Sequence, residues 1–242
     1  AFFGLAVGSF LNVCIYRIPK GTFFTEKHSY CPKCGQPLKW YDMVPVFSWI
    51  FLGGKCRNCK EKISARYPIV ESLNAVLWTL SAYFIGLNAN AFIYDALFSA
   101  LIVMTFIDID TKEIPNGIVV FIIILSIPLF FTAKDVVWWH RLVGAVVISV
   151  PLYVIALVTG GIGGGDIKLY FALGLVLGLY PTLVSAFIAI VSAGLIGGVL
   201  LLTKKVRKGY ELPLGPFIAL GAVVTVFAGT PIIDGIKNLF GI

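Results

Sequence analysis

Charge is what this chain has least of. Only 13% of its 242 residues are Asp, Glu, Lys or Arg, against 59% hydrophobic, and the mean hydropathy is +0.94. A soluble domain is about one quarter charged, so a water-soluble globule is excluded and the composition is that of a polytopic membrane protein. Histidine is scarcer still, with only His28 and His140. No H-E-x-x-H metal helix occurs, and the two histidines fall on opposite sides of the topology below, so no histidine-based triad can assemble. The glycines at 160–165 fit no G-x-G-x-x-G register and follow no strand, which excludes a nucleotide-binding loop. No groove-reading motif accompanies the net charge of +7. That charge reads as membrane topology and attraction to anionic headgroups, and nucleic acid is not an expected partner.

What is present is long apolar runs. Runs and breakers divide the chain into about eight spans, at roughly 1–16, 69–87, 91–107, 117–133, 142–159, 167–180, 182–203 and 214–230. No cleavable signal peptide is evident, and AFFGLAVGSFLNVCIYRIP reads as the remainder of a first span. The expectation is an all-α integral membrane protein with a small zinc-ribbon-like cytoplasmic loop domain. Its parts are a first span at 1–16, the loop domain at 17–68 and a polytopic domain at 69–242. The span after Asp166 is short, ending at Tyr180-Pro181, and short or glycine-interrupted spans often line a site. Sixteen of the nineteen Lys and Arg fall on one side: ten in 17–68, then Lys112, Lys168 and four in 204–208. Lys134, Arg141 and Lys237 lie on the other. The positive-inside rule puts the sixteen in the cytoplasm, with both Asp108 and Asp166 on that face.

Four of five cysteines form two C-x2-C knuckles, Cys31/Cys34 and Cys56/Cys59. Such knuckles supply the four thiolates of a tetrahedral structural Zn2+ site, and Gly35 after the first suits the turn. Disulfides are the alternative, disfavoured by a reducing compartment. The aromatic string WYDMVPVFSWIFLGG between them is expected to pack on the ribbon or the membrane surface, and Cys14 to fill space in the first span.

Two acids stand at the ends of apolar runs. Asp108 opens DIDTKEIPN, and Asp166 closes GGIGGGD. Each has an ordinary alternative: Asp108 as a solvated helix end, with Asp110 equally placed, and Asp166 as an N-cap after a flexible turn. Pro115 is expected near the first position of the next helix. Gly163, Gly164 and Gly165 leave room for a peptide backbone beside Asp166, while Lys168 pairs with a carboxylate or reaches lipid phosphate. Held close, two carboxyls share a proton, and such a pair suits aspartyl peptide hydrolysis. A channel or carrier using the same acids is the competing reading, as is a zinc-ribbon assembly factor without catalysis. Glu71, near the start of the second span, is a candidate functional acid, with an interfacial cap as its alternative.

In GSFLNVCIYRIP (8–19), the two knuckles, RYPIVESLNA (66–75), DIDTKEIPN (108–116), GGGDIKLYFALG (163–174) and LPLGPFIALG (212–221), the chain resembles the type IV prepilin peptidases. These are GxGD-type intramembrane aspartyl proteases that also methylate their product. The resemblance implies Asp108, seven residues before the Pro of I-P-N, as the first catalytic aspartate and leaves Asp110 a bystander. It implies Asp166, closing the GxGD string, as the second. It further implies a multi-pass inner-membrane enzyme with its catalytic side cytoplasmic. That enzyme cuts basic leaders from prepilins and pseudopilins and methylates the new N-terminus with S-adenosylmethionine. The alternative is a peptidase without the methyl step, since no methyl-donor motif stands out in the residues.

Overall fold

Each expected span becomes a helix. The computed structural model describes all residues except 27, 134–135, 205–211 and 241–242, and the side chains at 236, 237, 239 and 240. Of the cations used to orient the chain, Lys27, Lys134 and those at 205–208 lie outside the described residues, as does the side chain of Lys237. The helices are α1 (Phe2–Arg17), the short α2 (Phe47–Phe51), α3 (Arg66–Phe84), α4 (Ala89–Thr111), α5 (Asn116–Thr132), α6 (Trp138–Thr159), α7 (Gly164–Leu177), α8 (Leu179–Leu202) and α9 (Gly215–Phe240). No β-strand occurs among the described residues. Four segments are long and apolar enough to cross a membrane: α4, α6, α8 and Gly215–Gly235 of α9. Shorter apolar helices are α1 and α5. The 14-residue α7 rises only about 21 Å, short of a hydrocarbon layer of about 30 Å.

Glycine rather than proline sets the helix ends. Gly160 closes α6 in the left-handed conformation at φ 64°, a common helix stop. Gly178, at φ 85°, separates α7 from α8. Pro181 was expected to end the short span; it lies instead in the first turn of α8, where its missing N–H forfeits no intrahelical bond. Pro115 likewise stands one place earlier than expected, as the N-cap of α5.

The chain forms two compact units that divide within α4, Ala1–Val103 and Met104–Ile242. In the first, α1 lies against α3 on Gly4 and Gly8. A Cβ at Gly8 would come within 2.6 Å of Glu71 Cα, so only a hydrogen fits there. Polar side chains tie the same helices. Asn74 donates to the Gly4 carbonyl (2.8 Å), Ser99 donates to Asn74 Oδ1 (2.8 Å), and Trp78 Nε1 donates to the Asp95 carbonyl (3.1 Å). The buried Cys14 packs in α1, away from the other cysteines.

In the second unit α6 packs on α7, α8 on α9, and α7 also touches α5. Helices α6 and α7 meet where Gly174 faces Gly144; a Cβ at Gly174 would lie 2.2 Å from the Gly144 carbonyl oxygen. Arg141, in the first turn of α6, is fully buried. It donates to the carbonyl of Leu175 (3.2 Å) and to that of Val176. These are the last turn of α7, so this cation caps a helix C-terminus and favours its dipole.

Candidate active site and metal centre

Both cysteine knuckles fold alike. In the first, Cys31 N donates to the Gln36 carbonyl (3.0 Å) and Gly35 N to the Cys31 carbonyl (2.9 Å). In the second, Cys56 N donates to Glu61 (2.8 Å) and Lys60 N to Cys56 (3.0 Å). An isolated antiparallel bridge closes each one, Tyr30 with Pro37 and Lys55 with Lys62. The four sulfurs lie within 4.8 Å of one another, and Cys31 and Cys59 are 3.9 Å apart. A tetrahedral zinc–thiolate centre, with bonds of about 2.3 Å, separates its sulfurs by about 3.8 Å. The arrangement therefore fits a four-thiolate metal site, and all four cysteines are unbridged. Backbone N–H groups of Cys59 and Asn58 pull the Cys56 thiol down to about 7, toward the thiolate a metal needs.

The knuckles differ at one point. The left-handed position after the fourth residue is Gly35 (φ 69°) in the first and Lys60 (φ 61°) in the second. A non-glycine residue there costs about 1 kcal/mol. Lys60→Gly is therefore expected to raise the hydrogen-exchange protection of the second knuckle, by up to about fivefold, and Gly35→Ala to lower that of the first.

The aromatic string does pack on the ribbon, in part. Trp49 Nε1 donates to the Ile63 carbonyl (3.1 Å), and its ring fills the space over Gly54. Phe47, Ile50 and Phe51 on the same short helix remain exposed.

In the second unit, strings far apart in sequence meet at one end of the helices. Asp108 lies in the last turn of α4, where a negative charge opposes the helix dipole. It is nonetheless only 4% exposed, and its Oδ2 accepts the backbone N–H of Gly215 (2.8 Å), the first residue of α9. One helix N-terminus thus compensates another's C-terminus. Asp110, two residues on, points outward and is exposed, which separates the two acids that their sequence placed equally.

Asp166 is the third residue of α7, and Gly163 is that helix's N-cap, so the capping alternative fails. Its carboxyl has no hydrogen-bond partner among the described residues. It lies close enough to Asp108 for the charge of one to act on the other. The glycines before it divide their work. Gly163 leaves the Asp166 carboxyl free of a Cβ that would stand 3.1 Å from Oδ2. Gly165 abuts Ile114, where a Cβ would come to 3.0 Å. Gly164 faces open space. Lys168 makes no ion pair with a carboxylate among the described residues; it donates to Asn116 Oδ1 (3.1 Å), the first residue of α5, and so joins the two aspartate strings.

Tyr170 had no signal in the sequence beyond its spacing. It is buried one turn beyond Asp166 on the same helix face, within range of that residue's charge. His140 packs against Trp139 at a tilt and against Tyr180 edge-on at the start of α6, a 22-residue helix about 33 Å long whose other end leads to Asp166.

In the first unit Glu71 is not an interfacial cap. It sits inside α3 and is 7% exposed, and its Oε2 accepts the backbone N–H of Val46 (2.7 Å). Val46 has φ 62°, a strained value for a β-branched residue.

Comparison with known proteins finds relatives along nearly the whole chain. A family model described as the bacterial peptidase A24 N-terminal domain matches residues 2–85, and one described as the type IV leader peptidase family matches 96–198. A Bacillus subtilis protein named prepilin leader peptidase/N-methyltransferase is 34% identical over 234 residues, covering 96% of this chain and 94% of that protein. Proteins of the same name from Neisseria gonorrhoeae (34% over 250 residues, 91% and 86% covered) and Vibrio cholerae (32% over 250, 93% of each) are also similar. No solved structure matches.

Proposed function

The chain belongs to the type IV leader peptidase family, and from that premise we propose that Asp108 and Asp166 are the catalytic pair of a prepilin peptidase that also N-methylates its product. The observation that carries the assignment is convergence. DIDTKEIPN, GGGDIK and LPLGPF, up to 107 residues apart, meet through the Asp108–Gly215, Gly165–Ile114 and Lys168–Asn116 contacts.

Two neighbouring carboxyls at a membrane edge carry one proton between them most cheaply. In hydrolysis, the ionised carboxyl takes a proton from water as the water oxygen adds to the scissile carbonyl carbon. The protonated carboxyl gives its proton to the carbonyl oxygen. When the resulting diol collapses, the C–N bond breaks and the first carboxyl protonates the leaving nitrogen. A diol hydroxyl returns a proton to the second, so the pair ends as it began. The open side of Gly164 gives an extended substrate backbone room to lie beside Asp166.

The substrates we assign are prepilins and pseudopilins with a basic leader followed by an apolar helix; no nucleic acid takes part. The excess of Lys and Arg supports an inner-membrane protein whose aspartates and cysteine loop face the cytoplasm, where such a leader waits. We assign Zn2+ to Cys31, Cys34, Cys56 and Cys59 as a structural ion. S-adenosylmethionine, when bound, supplies an electrophilic methyl group for the new N-terminal amine.

Purified protein incubated with a prepilin, with and without S-adenosylmethionine, is expected to yield leader-free product in both cases and a methylated one only with the donor, read by mass spectrometry. Intact prepilin in both would sink the peptidase reading. The role of α9 has its own test. A Cβ at Gly215 would lie 2.7 Å from Asp108 Oδ2 and 2.7 Å from Met104 Sδ, so Gly215→Ala must displace the carboxyl. Misplacing a catalytic group by about 1 Å costs about 100-fold in rate. A fall of that order in kcat with little change in KM is expected.

A further inference from the structure

We propose that the cysteine loop is held down on the bilayer, with α2 and Phe24 seated in the headgroup layer of an anionic leaflet, the one at which α1 ends and α3 begins. The proposal concerns the surface of the first unit and stands whether or not the aspartates cut peptides.

Two contacts fix the level of these segments within the first unit. Helices α1 and α3 run antiparallel, with Gly4 against Ala75 and Gly8 against Glu71. Glu71 lies five residues into α3, about 7.5 Å along its axis from Arg66. Its bond from the Val46 N–H (2.7 Å) therefore brings the start of α2 back to that level of the helix pair. Independently, Phe23 meets Phe10 edge-on (6.1 Å), and Phe10 lies seven residues, about 10 Å, before the end of α1. At this level the outer surface of the pair is apolar, since Phe10, Ile69 and Leu73 are all exposed. On helices read as spans, such a surface faces lipid, so the loop segments beside it lie at lipid depth.

What the loop presents there suits a headgroup boundary. On α2, Trp49 turns in to bond the Ile63 carbonyl, while Phe47, Ile50 and Phe51 are exposed. Phe24, beside Phe23, is 93% exposed. Backbone amides near lipid need partners within the protein, and the start of α2 has them. Val46, Phe47 and Ser48 donate in turn to the Glu71 carboxylate and to the carbonyls of Pro45 and Val44. The charge of the loop complements an anionic surface. Residues 17–68 carry ten Lys and Arg against three Asp and Glu, and Glu26 and Asp42 are already paired with Arg17 and Arg57. Exposed Lys39 and Lys55 bracket α2 in sequence, with stems long enough to reach from an apolar seat to lipid phosphate. An apolar turn edged by lysines is the pattern of a segment that lies in the plane of the interface.

The experiment places a spin-labelled amino acid at Phe24, Ile50 or Phe51, one site at a time, in the full-length protein. The protein is reconstituted in vesicles of phosphatidylcholine and phosphatidylglycerol, and a label at Gln36, exposed on the first knuckle, is the reference in water. Access of oxygen, which concentrates in lipid, is compared with access of a water-soluble nickel chelate. The three apolar sites are expected to lie about 5–10 Å into the boundary between headgroups and acyl chains, and Gln36 to meet the chelate freely. In vesicles of phosphatidylcholine alone the three sites are expected to rise toward water, because the attraction of anionic headgroups is lost. Chelate access at the three sites equal to that at Gln36 overturns the docking. Exclusion of both reagents means that protein covers this face, a partner or a second copy, and overturns the lipid assignment. Equal depth in the two kinds of vesicle overturns the part given to charge. None of these readings depends on leader cleavage.

Discussion

Asp108→Asn and Asp166→Asn are each expected to reduce leader removal by at least about 1,000-fold while the protein stays folded in the membrane. Proton transfer by a positioned group contributes about 100- to 10,000-fold, and in the proposed mechanism each carboxyl both gives and takes a proton in one turnover. Asparagine keeps the shape but carries no transferable proton. Its Oδ1 at position 108 still accepts the Gly215 N–H, so the closure of α9 on α4 survives and the loss is chemical rather than structural. Because the two act as one unit, the double variant falls no further than either single one. Asp110→Asn, at an exposed position, stays within about twofold of the wild type. Cleavage of a prepilin in detergent, followed by gel mobility and thermal melting, checks all four. Substantial cleavage by both single variants would exclude the pair, and aspartate-dependent ion flux without cleavage would favour a carrier.

Removing the metal from the cysteine loop is the second large effect expected. Structural zinc on four thiolates contributes about 10–16 kcal/mol to the folding of a small domain. Besides the metal, the knuckles have one isolated bridge each, two backbone hydrogen bonds across each turn, the Arg57–Asp42 ion pair, a contact from Asn58 to Cys34 Sγ and the packing of Trp49. Chelation, or Cys56→Ser, is therefore expected to open the loop to proteases and expose its thiols to alkylation. Metal analysis should find one zinc per chain in the untreated protein. Two disulfides and no metal in thiol-trapped protein would overturn the site.

The eight long helices were legible because hydropathy changes sharply at their ends, and the metal site because C-x2-C spacing fixes its own geometry. The choice between Asp108 and Asp110 was not. Burial along α4 follows Leu101, Met104 and Asp108, so the two acids differ only in helical phase. That phase cannot be read from a helix whose other positions up to Ile107 are nearly all apolar. Contacts made by backbone donors leave even less trace. Nothing in the letters near Glu71 announces Val46, and nothing near Asp108 announces Gly215. Arg141 shows the opposite error. A cation counted toward membrane orientation is spent on the end of α7.

The bond from Gly215 to Asp108 spans 107 residues, and that separation sets a clock. At about 5–20 residues per second, a ribosome takes roughly 5–20 seconds to travel from one to the other. In the later part of that interval, after residue 166 is added, the nascent chain carries both acids but has no α9 to receive the first. On the proposed assignment, a protease that acts on membrane helices stays inactive among its newly inserted neighbours until α9 arrives. Chains stalled before 215 are expected to be inserted but inert, and to gain activity when a separately expressed α9 is supplied.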